Sequence, residues 1–271
     1  MKVYDCTLYH DEDLILELRF NILSKFVDKF VICESKFSHS GREKKLNFDI
    51  KKFPEFKKKI IYLVSTDEPS ELIFDKNSIE KKELPENFRH NAVRRIAHQR
   101  NKLFDGLGEA NEDDFILYSD NDEIPNLDHF NFKNFNKKYV MFEQKLFYYK
   151  FNLFLDKIFW YGTKGCRKKY LNTFEKLRQI KPKVYPFYRA DTFFKFDKQI
   201  SLEIVKEGGW HFTRLQTPED IHSKELDAEH HDEYRASGKN VDKIKELIKN
   251  RKIDHDHFAD TKASKYGNEF K

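Results

Sequence analysis

The chain has 271 residues, 39% hydrophobic and 36% charged, with 51 Lys and Arg against 46 Asp and Glu for a net charge of +5; that length supports one large α/β domain or two small ones. Its basic runs ("EKK", "FKKKI", "CRKKY") are short and interspersed with acids, which excludes a nucleic-acid-binding arm and leaves solvated faces, an anionic substrate or peripheral contact with a membrane surface. Three cysteines exclude a disulfide scaffold, no window approaches the ~18 apolar residues of a membrane span, and "MKVYDCTLYH" lacks a signal-peptide core, so a soluble cytoplasmic protein is expected.

In chain order, "KVYDCTLY" alternates and predicts a first strand. "HDEDLILELRFNILSKF" predicts a helix with Asp11 at its N-cap and a stripe of Leu14, Leu18, Ile22 and Phe26. "VDKFVICES" reads as a second strand ending in Glu34, "KFSHSGREKKLNF" as a loop turning at Ser40–Gly41, and "KKIIYLVS" as a third strand. Residues 67–86 contain Pro69 and Pro85 and read as a long loop. "ENFRHNAVRRIAHQRNKLFDGLG" is the clearest helix, stopping at Gly106 and Gly108, and "DDFILYS" is a short apolar strand buried on both faces. This β-α-β-loop-β-α-β order predicts a parallel sheet with crossover helices. After residue 137 the pieces shorten: "KYVMFEQKLFYYKFN", "KIFWYG", "TFFKF" and "GGWHFT" suggest a mixed or antiparallel part of the same sheet. "TPEDIHSKELDAEHHDEYRASG" predicts one helix with Thr217 at N-cap and Pro218 at N1, and "NVDKIKELIKNR" a terminal amphipathic one. Without internal repeats, one domain over residues 1–271 is expected, with disorder confined to the final "TKASKYGNEFK".

The fourth strand runs straight into "SDNDE". Ligands of open parallel sheets bind beyond the carboxyl ends of the strands. On an extended segment Asp120 and Asp122 point the same way and converge. Two such carboxylates repel unless a cation lies between them, and hard oxygen donors suit Mg²⁺ or Mn²⁺ held jointly with a phosphate-bearing substrate. A surface turn at Ile124-Pro125-Asn126 is the plainer alternative. Arg100 falls on the apolar stripe of Val93, Ile96, Ala97, Leu103 and Phe104, where it either pairs with Asp113 or Asp114 or reaches a nucleotide diphosphate. His211, after Gly208-Gly209-Trp210, is either a satisfied core histidine or a third metal ligand.

These segments, together with "VYDCTLYHDEDLILELRFNIL", "VDKFVICESKFSHSGREKKLNF", "HQRNKLFDGL", "DDFILYSDNDEIP", "GGWHF" and "TPEDIHSK", resemble glycosyltransferase family 17, which includes the enzyme adding bisecting β-1,4-linked N-acetylglucosamine to N-glycans. The resemblance implies a GT-A-like, Rossmann-related mixed sheet: a parallel N-terminal half flanked by helices (1–137, binding the nucleotide) and an acceptor half with C-terminal helices (138–271). It implies a UDP-sugar donor, Mn²⁺ or Mg²⁺, and inversion. By that likeness Asp122 ligates the metal, Asp120 contacts ribose or a metal-bound water, and His211 is the third ligand. Arg100 and Asn101 then lie near the nucleotide, and Glu34 with Ser40 and Gly41 beside the uridine. Asn121 departs from the small apolar residue common at the middle of this motif. With no anchor in the sequence, a surface polysaccharide or glycolipid acceptor is expected rather than an N-glycan.

On this reading Lys224 adds positive charge for the leaving diphosphate, and Glu219 is the first choice for the base that takes the acceptor proton. Glu123 braces the loop, while Trp160, Tyr161 and Trp210 are candidates to stack on a sugar. A nucleotidyltransferase would also use paired carboxylates, but "DCTLYHDED" contains no Gly-rich phosphate loop. A non-catalytic carbohydrate-binding module would explain the aromatics but not the acids. The clusters His255-Asp256-His257 and His222/His230/His231 read as solvated.

Overall fold

The computed structural model describes residues 1–75 and 83–253. The His255-Asp256-His257 cluster, the C-terminal tail and part of the 67–86 loop lie outside the described residues.

Strands β1 (Val3–Tyr9), β2 (Lys29–Ser35), β3 (Ile60–Ser65) and β4 (Phe115–Ser119) pair in parallel in the order β4-β1-β2-β3. Helices α1 (Asp13–Leu23) and α2 (Pro85–Lys102) make the crossovers. Strand alternation assigns the two faces. Val3, Phe115 and Leu117 join a core built with α1, whereas Tyr4, Cys6, Ile116 and Tyr118 join a second core with Leu103, Leu107 and Phe174. All three cysteines are buried and free.

The remaining strands correct the single-sheet expectation. β6 (Tyr139–Phe142), β9 (Lys164–Arg167) and β10 (Leu202–Val205) extend the first sheet to seven strands, ordered β10-β6-β9-β4-β1-β2-β3, with β9 antiparallel to both neighbours. β5 (Glu123–Pro125), β7 (Gln144–Tyr148), β8 (Phe154–Trp160) and β11 (Gly209–Thr213) form a separate four-stranded sheet, ordered β5-β11-β7-β8. The run "KYVMFEQKLFYYKFN" therefore serves both sheets, breaking at Glu143, whose backbone is held by Val205 and Gly208. "TFFKF" is not a strand: a short 3-10 turn covers Ala190–Phe193, and Phe194 is 88% exposed.

The helix stripes also differ. Leu14 and Val93 are exposed; α1 buries Ile15, Leu16, Arg19, Phe20 and Leu23, and α2 buries Asn91, Ala92, Arg95, Ile96 and Gln99. The polar members of these faces have partners inside the protein, so apolar periodicity alone misplaced the buried side. α2 stops at Lys102 and tightens into a 3-10 segment through Leu107. The predicted long C-terminal helix is two, α4 (Pro218–Glu225) and α5 (His231–Ala236), followed by α6 (Val241–Lys249). Thr217 caps α4 as expected, accepting from the Asp220 amide at 3.1 Å. No described helix is long and apolar enough to cross a membrane.

Candidate active site

A cavity of about 500 Å³ lies beyond the carboxyl ends of the parallel strands, lined by Leu8 and Tyr9 of β1, Ser35 of β2 and Asp120 after β4. His10, Glu12, Arg100, Asp122, His211 and Lys224 also face it, so both halves of the chain contribute.

The acids at the end of β4 lie on a turn, and each has partners of its own. The Glu123 amide donates to the Asp120 carbonyl at 3.0 Å, closing a turn through Asn121 and Asp122. The segment is thus a turn and not the extended run that strand alternation assumed, and both aspartates line the cavity. Asp120 accepts from Arg178 at 2.9 Å and from the Tyr118 hydroxyl at 3.0 Å, and lies 3.8 Å from Arg100. Burial would raise its carboxyl pKa, but Arg178 and Arg100 outweigh it and hold the group well below the usual carboxylate range. Arg178 belongs to α3 (Phe174–Arg178) and also grips both oxygens of buried Glu123. Lys164 fixes the end of α3 by donating to the carbonyls of Arg178 and Ile180. Arg100 donates to Tyr118 and to Glu175 at 2.8 Å each, the expected partners Asp113 and Asp114 being elsewhere.

Asp122 turns to the other sheet. β5 pairs antiparallel with β11, Glu123 opposite His211, and the Phe212 amide donates to the Asp122 carbonyl at 2.8 Å. This register carries His211 Nε2 to 3.4 Å from Asp122 Oδ2. Burial works against charge on the imidazole, yet Asp122 outweighs it and the His211 pKa is raised. Trp160 packs against the His211 ring at 4.7 Å and donates to Glu123 at 2.6 Å, fixing the ring from one side. His211 Nδ1 is buried without a hydrogen-bond partner.

Among the described residues no three His, Cys, Asp or Glu side chains are grouped to hold a metal. Asp122 and His211 form a two-residue donor set, with the Thr213 hydroxyl 2.9 Å from the same His211 Nε2. Mg²⁺ is held through one or two carboxylates plus substrate phosphate oxygens, and the cavity wall offers Asp120 and Asp122 with His211.

The model of glycosyltransferase family 17 matches residues 1–182. The chain belongs to glycosyltransferase family 17. It is therefore a glycosyltransferase, of a family of N-acetylglucosamine transferases. No curated protein matched it. The matched residues span β1 through α3, including the acid turn and Arg178, and stop short of His211.

Other expected site residues of this family 17 glycosyltransferase are distributed differently. Glu219 is exposed in the first turn of α4, paired with Lys245 at 2.8 Å, and does not line the cavity; a carboxylate there answers the helix terminus. Asn101 is exposed, Tyr161 donates to Glu143 at 2.7 Å, and Trp210 packs on the α1-side core; none lines the cavity. Glu34 is fully buried, accepting from Lys44, the amides of Asn47 and Phe48, and Tyr62, so it organises the 36–48 loop from behind. Ser40 donates to Asp227 at 2.9 Å, and Gly41, at φ +85°, leaves room for the Arg95 guanidinium; their neighbours Ser38 and His39 face the cavity instead.

Lys224 reaches the cavity in an ion pair with Glu12. Burial alone would raise the Glu12 carboxyl, but Lys224 and His10 bring it down to about 2. Glu12, His10, His39 and Arg178 had no motif to mark them. Only "YHDED" following a strand end hinted at the first two.

Proposed function

We propose that this glycosyltransferase moves N-acetylglucosamine from a UDP donor to a hydroxyl of a surface glycan or glycolipid, inverting at the anomeric carbon on a GT-A-type fold. Residues 1–137 form most of the nucleotide site, and 138–271 complete it with His211 and Lys224 and carry the acceptor side. The observation that carries the reading is the Asp122–His211 pair, 3.4 Å apart in a cavity at the carboxyl end of parallel strands, in a family 17 chain.

Asp122 and His211 would hold Mn²⁺ or Mg²⁺, whose positive charge stabilises the departing diphosphate. Arg100 and Lys224 face the same cavity and add fixed positive charge where the leaving oxygen becomes negative. Asp120, at the cavity wall, aligns Arg100 and Arg178 rather than touching the ion. Trp160 holds the His211 ring and offers an indole face to the sugar.

The acceptor proton goes to His10. Cavity-facing carboxylates already carry cationic partners: Glu12 has Lys224, Asp227 has Arg42, Glu225 has Arg214, and Glu229 and Glu233 share Arg89. Burial lowers the His10 pKa, with Glu12 and Asp11 opposing and Lys44 and Lys224 assisting, so the ring stays neutral near pH 7 with a nitrogen to accept the proton.

Calorimetry tests the scheme. UDP binding should require Mn²⁺, and Asp122→Ala should abolish the Mn²⁺-dependent binding; equal UDP affinity in excess chelator overturns it. Slow hydrolysis measured across several UDP-sugars identifies the donor.

A further inference from the structure

Between α3 and β10, residues 181–200 form a lobe outside both sheets. Its ends are joined by a bridge between Val184 and Gln199, and the Tyr185 amide donates to the Gln199 carbonyl at 2.9 Å. Asp191 sits inside it, bound to Arg189 and Lys198, and Tyr185 is its buried anchor, with Lys183, Arg189 and Lys198 around the ring. The lobe is therefore structured. Yet Phe194 is 88% exposed, Phe187 77% and Tyr188 75%, with Val184, Phe196 and Ile200 also among the exposed hydrophobics. Large aromatic surface left in water at this density is costly unless something covers it.

The charges indicate what covers it. Lys181, Lys183, Arg189, Lys195 and Lys198 interleave with these rings, against only Asp191 and Asp197, so the lobe is positive. We propose that residues 183–200 are a membrane-docking surface that seats Phe187, Tyr188 and Phe194 among the headgroups of an anionic lipid bilayer while Lys183 and Lys195 meet the lipid phosphates. Rings immersed at the interface and flanked by lysines are the arrangement such surfaces use, since apolar burial and attraction to anionic lipid add together. A neutral glycan would gain little from these cations, and a packed protein interface is depleted in lysine. The lobe follows directly on α3, whose Arg178 holds Asp120 and Glu123, so docking occurs one short connection from the active-site acids. A lipid-linked acceptor is a consequence that rests on the proposed sugar transfer; the docking itself does not.

The test is cosedimentation of the full chain with vesicles, phosphatidylcholine alone against phosphatidylcholine mixed with phosphatidylglycerol. The protein should pellet with the anionic vesicles and be released at about 1 M salt, where screening is short-ranged. The double variant Phe187→Ser/Phe194→Ser should lower partitioning about tenfold through lost apolar burial. Lys183→Glu/Lys195→Glu should remove the preference for anionic lipid. These residues are exposed, so the melting temperature should hold, and calorimetric UDP binding by the same variants separates this result from failure of the sugar-transfer reading. Absence of vesicle binding, or equal binding by the variants, overturns the proposal. So does sedimentation equilibrium in which the aromatic variant dissolves a self-associated form, or loss of glycan binding with lipid binding intact.

Discussion

At the scale of single residues, the charges inside this protein are organised by partners far away in sequence. Arg19 and Asp5 are both fully buried and bonded at 2.6 Å, and the same guanidinium reaches Ser119 and the Glu123 carbonyl. Arg19→Leu strands a buried carboxylate and should cost about 3–5 kcal/mol in urea denaturation, with Arg19→Leu/Asp5→Leu recovering part of the loss. Glu12 gives a pH signature. Its folded pKa is depressed to about 2 from an ordinary 4.5, so its contribution to stability is full above pH 4.5 and is lost as pH falls toward 2. Glu12→Gln should flatten that part of the curve of stability against pH. For His10 the active form is the neutral ring, so activity should fall as acid protonates it, on a limb below the ordinary 6.5. His10→Gln should remove the limb and lower kcat about 10²–10⁴-fold. An acid limb unchanged in that variant would eliminate His10 as the base. In the sequence Arg19 looks like any surface arginine of an amphipathic helix, and nothing local shows that it faces inward.

At the scale of elements, the site depends on one turn and one strand pairing. The β4 segment and its terminal acids were legible because a short apolar run ending in charge has few other readings. The turn across Asn121 and Asp122 was not, nor were the separate partners of the two aspartates, Arg178 and His211. The Gly209 backbone sits at φ +128°, and a Cβ there would strike the Ile124 carbonyl across the β5–β11 pairing. Gly209→Ala should therefore destabilise the protein by more than about 1 kcal/mol and weaken Mn²⁺-dependent UDP binding, by shifting His211 relative to Asp122. Calorimetry and thermal melting on the same sample check both effects. The second sheet escaped the sequence reading for a related reason. Period-two patterning tells which side chains share a face but not which edge a strand joins.

At the scale of the whole molecule, the cavity exists only where the parallel sheet, the small second sheet and the C-terminal helices meet. Residues 1–182 carry the family match and the acid turn, but His211 and Lys224 lie beyond it. What the sequence determined by itself is what short-range physics encodes: the β-α-β order, the strands with acids at their carboxyl ends, the capped start of α4, and the family. Tertiary structure alone decided which charges meet. It gave Asp120 to Arg178, set the contact of His211 with Asp122 that the family resemblance had only implied, and left Glu219 in solvent beside Lys245. The physical reason is reach. Periodicity and capping act over a few residues, whereas an ion pair between segments ninety or so residues apart is set by how the sheets pack, which no local pattern records.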